Sequence, residues 1–108
     1  MNYETIVYES SAGRAFFNEW FEKLAPTIAA KITSAIHKLE AGNLSNTKFL
    51  REGVWEFKIN AGPGYRIYFG KVDKRVILLL AGGTKKAQQK DIDLAIGLLQ
   101  EYKKAGMH

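Results

Sequence analysis

Glu56, Lys58 and Arg66 are the side chains of this chain whose types and spacing suit chemistry. They lie in WEFKI (residues 55–59) and YRIYF (residues 65–69), where apolar and polar residues alternate with the period of a half-buried strand. Ala61-Gly62-Pro63-Gly64 between them is turn material, so the two stretches read as a β-hairpin. Alternation fixes the register. Trp55, Phe57 and Ile59 must share the buried face with Tyr65, Ile67 and Phe69, because a slip of one residue turns every side chain to the wrong side. Phe57 then opposes Ile67, Lys58 opposes Arg66 and Glu56 opposes Tyr68. Like charges directly across a strand pair repel. The Lys58–Arg66 pairing is therefore either a site kept for an anion, or part of an ordinary surface ion network that Glu56, diagonal to Arg66, neutralises. On either reading Arg66 faces solvent, and its replacement by Ala is expected to leave the fold intact.

Further cations flank the hairpin. Lys48 and Arg51 precede it, either lining a nucleic-acid groove or standing as solvated charges that protect a strand edge. Lys85, Lys86 and Lys90 follow Gly82-Gly83 at the start of a last predicted helix. A helix amino terminus is already positive, so lysines there oppose the helix but improve an anion site, unless they simply bend into water. Residues 1–46 carry four Lys or Arg against five acids, whereas residues 47–108 carry twelve against six. The basic excess belongs to the half that holds the hairpin. A polyanion, most often nucleic acid, is the natural partner of such a surface, with solubility as the plainer explanation. The chain has no Cys, which excludes disulfides and thiolate metal sites. His37 falls outside the apolar stripe of its helix with no second ligand at metal spacing, and takes no role.

The elements that must position these residues follow from periodicity. At 108 residues the chain is long enough for one domain with one core, residues 1–108. YETIVY (3–8) reads as a first strand. Ser10 or Ser11 offers a cap for a helix whose Phe16, Phe17, Trp20, Phe21 and Leu24 face the core. Pro26 opens a second helix with Ile28, Ile32, Ala35, Ile36 and Leu39 on one face and Gly42 as its stop, and the two helices are expected to form a hairpin. VILLLA (76–81) does not alternate, so it belongs at the centre of the sheet with helices on both faces. Gly82-Gly83 is expected to end it, and Thr84 to cap a last helix with Ile92, Ala95, Leu98, Leu99 and Tyr102 inward. No secretory signal pattern opens the chain, and its longest apolar run is too short to cross a bilayer. A cytoplasmic protein without a membrane association is the expectation.

With the motifs GVWEFKI, GPGYRIYF and LLLAGGTKKxQxxDI in place, the chain resembles the RelE/ParE toxin superfamily, and more narrowly its HigB-like, phage-derived addiction module killer branch. The resemblance implies a small α+β fold: a mainly antiparallel sheet of about four strands, an N-terminal helical hairpin and a C-terminal helix. It implies a toxin of a type II toxin–antitoxin module, acting as an mRNA endonuclease at the ribosome and held in check by an antitoxin, expected to be a helix-turn-helix protein. By the same resemblance, the arginine that contacts the scissile phosphate falls on Arg66, a basic partner on Lys58, and the basic position after the last strand on Lys85 or Lys86. Glu56 stands where RelE has a lysine.

Metal-independent RNA cleavage by the 2′-hydroxyl needs a base, cations around the phosphate and a donor to the leaving oxygen. Glu, with an ordinary pKa of about 4.3, is ready as base at neutral pH, whereas Lys would have to fall by about 3 units. Glu56 is thus the expected base, Arg66 and Lys58 the phosphate clamp, and Lys85 or Lys86 a second clamp or donor, with no metal or other cofactor. Lys48, Arg51 and Lys90 are expected RNA contacts, and Tyr68 a surface for base stacking or an ordinary cross-strand aromatic. The competing reading is a non-catalytic inhibitor of DNA gyrase of the ParE type, which shares the fold but has no need of a co-facial Glu56, Lys58 and Arg66.

Overall fold

In the computed structural model, which describes residues 2–106, the elements run β1 (Glu4–Val7), α1 (Phe16–Glu22), α2 (Pro26–Glu40), β2 (Thr47–Arg51), β3 (Val54–Ile59), β4 (Tyr65–Asp73), β5 (Val76–Thr84) and α3 (Gln88–Lys104). A single 3₁₀ turn, Lys85–Ala87, joins β5 to α3. The strands form one sheet in the order β1-β5-β4-β3-β2, with β1 parallel to β5 and every other pair antiparallel. The fold is α+β as expected, with five strands rather than about four. The added strand is β2, hidden in the sequence by the tight turn that follows it. Glu52 (φ 51°) and Gly53 (φ 86°) both take positive φ between the paired Arg51 and Val54, the requirement of a two-residue hairpin turn of the primed class.

β5 lies one strand from the edge and is covered on both faces, as its unbroken apolar run requires. On one face Ile77 and Leu79 join Phe57, Ile67 and Phe69 beneath Phe17 of α1 and Ile32, Ala35 and Leu39 of α2. On the other, Leu78 and Leu80 join Val54 and Tyr68 beneath Ile92, Ala95, Leu98 and Leu99 of α3. The expected hairpin of the first two helices is not matched exactly. Each docks mainly on the sheet, α1 on β5 and α2 on β1 and β3.

Gly82 and Gly83 do not end β5, which continues to Thr84. They permit close approach on opposite faces: a Cβ at Gly82 would stand 2.2 Å from the Trp20 ring, and one at Gly83 would stand 1.9 Å from Asp91 Oδ2. The expected serine and threonine caps are also replaced. Ala15 precedes α1 and Ala87 precedes α3, neither with a side-chain cap. Ser10 Oγ accepts from the Arg14 amide in the preceding loop, and Ser11 donates through both its amide and its hydroxyl to Glu101 on α3. Pro26 and Gly42 take the helix-start and helix-stop positions expected of them, Gly42 at φ 83°. Among the described residues no helix is long and apolar enough to cross a membrane.

Candidate functional site

The hairpin register is the one that alternation dictates, with Phe57 opposite Ile67, Lys58 opposite Arg66 and Glu56 opposite Tyr68. Lys48 of β2 pairs with Glu56. Lys48, Glu56, Lys58 and Arg66 thereby occupy adjacent positions on the sheet face that carries α3.

Alternation identifies a face but not its cover, and here the structure corrects the expectation. α3 and the 3₁₀ turn close over this face as far as Arg66, so Arg66 and Glu56 are each only 5% exposed and Tyr68 is wholly buried. Arg66 is not a solvent-facing residue. A base cannot stack on Tyr68 beneath α3; its ring is part of the core under that helix. Lys58, one pair nearer the hairpin tip, stays exposed.

Arg66 Nε lies 3.3 Å from Glu56 Oε2, an ion pair without the alignment of a hydrogen bond. Gln88 Nε2, from the first residue of α3, donates to the same carboxylate oxygen at 2.8 Å. Nothing in the sequence marks Gln88 as a site residue, since its role depends on where α3 docks. Arg66 Nε and Nη1, Tyr68 Oη and Asp91 Oδ2 are buried without hydrogen-bond partners. Burial pushes the Tyr68 phenol upward, helped by the charges of Glu56 and Asp91 and opposed by that of Arg66. Burial likewise raises the Asp91 carboxyl, with Lys90 opposing.

The pair forms the floor of an open polar trough. One arm, about 500 Å³, is walled by Asn46, Lys48, Lys58, Asn60 and Gln88. A second, about 480 Å³, runs from Lys58 and Arg66 along the hairpin loop to Lys85. Gly64 sets that second arm. At φ 81°, it presents its carbonyl to the Lys85 amide at 3.0 Å, and a Cβ there would stand 3.5 Å from Arg66 Nη1. The loop and the 3₁₀ turn are thus pinned side by side, and Lys85 and Arg66 line the same arm.

Of the cations singled out from the sequence, Lys48, Lys58, Arg66 and Lys85 line the trough. Lys86 and Lys90 are exposed outside this lining. Arg51 does not join it either; its guanidinium bonds Asp93 of α3 at 3.1 Å and lies 3.9 Å from Glu52. Chemically, the trough offers a buried guanidinium with unmet donors, ammonium groups around it and a carboxylate within contact. That set suits a phosphodiester, whose oxygens accept from the guanidinium while a neighbouring hydroxyl gives up its proton to a carboxylate.

Residues 19–100 match the family model described as Phage derived protein Gp49-like, a span that includes every trough residue named above. An uncharacterized protein of Haemophilus influenzae is 40% identical over 86 residues, covering 79% of this chain and 87% of that protein. From both matches, the chain belongs to the family of Gp49-like phage-derived proteins, a family of the RelE/HigB-like toxin type.

Proposed function

We propose that this chain is the toxin of a toxin–antitoxin module, of the HigB-like killer branch, and that it cleaves mRNA on the ribosome in the cytoplasm. The observation that carries the reading is the Arg66 guanidinium: buried to 5% exposure at the floor of the trough, with Nε and Nη1 lacking hydrogen-bond partners. A buried charged donor left unmet costs about 1–3 kcal/mol or more, and such groups in native proteins call for an explanation. A phosphate bound in the trough would lie beside this guanidinium, and a small turn of the side chain would let its buried donors meet the phosphate oxygens.

The roles follow from position. Arg66 receives the scissile phosphate, and its planar fork serves two oxygens at once as charge builds in the phosphorane. Lys58 and Lys85 flank it on the open side. Glu56, whose Oε2 is held by Gln88 and Arg66, takes the 2′-hydroxyl proton on its other oxygen. The 2′-oxygen then attacks phosphorus to give a 2′,3′-cyclic phosphate, and the ammonium of Lys85 protonates the departing 5′-oxygen. The chemistry draws on side chains alone. The partner that restrains it is an antitoxin, expected to be a helix-turn-helix protein, which neutralises the basic trough.

The test is to incubate the purified protein with translating ribosomes and map the new RNA ends. Wild type should create ends bearing cyclic phosphate. Glu56→Gln should slow cleavage by about a hundredfold or more, the range of general base catalysis, and Arg66→Lys should retain only part of the rate, because it restores charge without the fork. Intact mRNA together with blocked gyrase supercoiling would replace this reading with the ParE-type inhibitor.

A further inference from the structure

The trough does not end at the edge of the sheet. β2 starts at Thr47, opposite Phe57, so the last residues of β3, Lys58 and Ile59, pair with β4 on one side and have no strand on the β2 side. At that edge the Asn46 carbonyl accepts from the Lys58 amide at 3.2 Å. Around it the arm floored by Glu56 and Arg66 meets a third concavity of about 330 Å³, which shares Asn46, Lys58 and Asn60 and lies between β3 and α2.

Lys31, Ser34 and Lys38 of α2 form its far wall, with Ala35, Phe57 and Ile59 at its base. Lys31 and Lys38 are two helical turns apart, about 10.5 Å along the axis, so they project from one face with Ser34 between them. With Lys58, three lysines line one groove, and among the described residues no carboxylate does. Ion pairs among the described residues involve Arg14, Arg51 and Arg66 instead. Mutual repulsion of uncompensated lysines is relieved by an anion threading between them. The apolar base beneath polar Asn46 and Asn60 suits a nucleobase flanked by its phosphates.

We infer that the α2 groove is a second binding segment for single-stranded RNA, in which Lys31 and Lys38 hold backbone phosphates of the strand beyond the nucleotide cut at Arg66. This rests on the nuclease reading for the identity of the strand, but its own signature is binding. The probe is a short, fluorescein-labelled 2′-O-methyl RNA, in which every internal nucleophile is blocked, titrated by anisotropy over a range of salt concentrations. Lys31→Ala/Lys38→Ala should bind more weakly, with a slope of log affinity against log salt shallower by about 1.4, at about 0.7 for each phosphate of a single strand that is no longer neutralised. Lys74→Ala/Lys104→Ala removes equal charge from exposed positions outside the groove and should keep the wild-type slope. An unchanged slope in the α2 variant, an equal loss in the control, or no binding by wild type at low salt overturns the inference. Groove-dependent binding by a protein that leaves ribosomal mRNA uncut supports the inference and overturns the nuclease reading alone.

Discussion

Arg66→Ala should destabilise the protein strongly, and the size of the loss follows from what it leaves behind. The guanidinium and the Glu56 carboxylate are each only 6% exposed and lie 3.3 Å apart. Truncating one member of a buried pair strands the other as an uncompensated charge, at about 3–5 kcal/mol. Gln88 still donates to Glu56, which places the cost near the lower end, about 3 kcal/mol. With an unfolding entropy of about 2.1 cal/mol/K per residue, a 108-residue domain should lose about 13 °C in Tm. Relief of the Lys58 repulsion, worth a few tenths of a kcal/mol, does not offset this. The assay is urea unfolding followed by the fluorescence of Trp20 and Trp55. Adding Glu56→Gln to the Arg66→Ala background should recover about 1–2 kcal/mol, because no buried charge then remains unpaired. A single variant within about 0.5 kcal/mol of wild type, or a second substitution that costs further stability, would refute the claim that Arg66 is held in a buried pair.

Gly83→Ala should cost about 3 kcal/mol or prevent folding, since its methyl would stand 1.9 Å from Asp91 Oδ2. Combining it with Asp91→Ala should restore much of the loss in the same urea assay, whereas a strictly additive pair would contradict the proposed clash. A pH effect is expected where the loop after β1 is tied to α3. The Tyr8 hydroxyl, then the Ser11 amide and hydroxyl, hold the Glu101 carboxyl below its ordinary range, while burial and Glu101 push the Tyr8 phenol up to about 12. Because the folded Glu101 pKa is depressed, its contribution is complete above the unfolded value of about 4.3 and is lost as pH falls through the folded value. Hydrogen exchange should show the Tyr8–Ser11 segment losing protection over that acid window, and Glu101→Gln should remove the pH dependence.

The hairpin register is legible in the sequence because alternation leaves a two-sided strand one solution, and Phe57 opposite Ile67 carries Lys58 opposite Arg66 with it. The two-sided cover of β5 is legible for the converse reason, since VILLLA leaves neither face for water, although β4 and not β5 holds the centre of the sheet. The fate of the polar hairpin face is not. Alternation separates Glu56, Arg66 and Tyr68 from the apolar set, but their burial depends on how far α3 reaches along the sheet, a tertiary distance without local pattern. The demand of β5 for a second cover is the available clue, because any helix meeting it must also shelter neighbouring β4. Lys58 escapes only by lying nearer the loop. Gly82-Gly83 misleads because close approach and chain termination select the same residue; only the positions of Trp20 and Asp91 tell them apart. The unforeseen β2 has a similar origin. Its turn places Glu rather than Asn or Asp in the first positive-φ position, so the strongest hairpin signal is absent.

The most direct measurement of the central claim, that a phosphodiester completes the hydrogen bonding of Arg66, is nitrogen NMR of arginine-labelled protein titrated with 2′-O-methyl RNA. The Arg66 Nε–H resonance should shift on binding, while that of Arg51, paired with Asp93 outside the trough, stays in place. RNA binding that leaves the Arg66 resonance unmoved would contradict that claim.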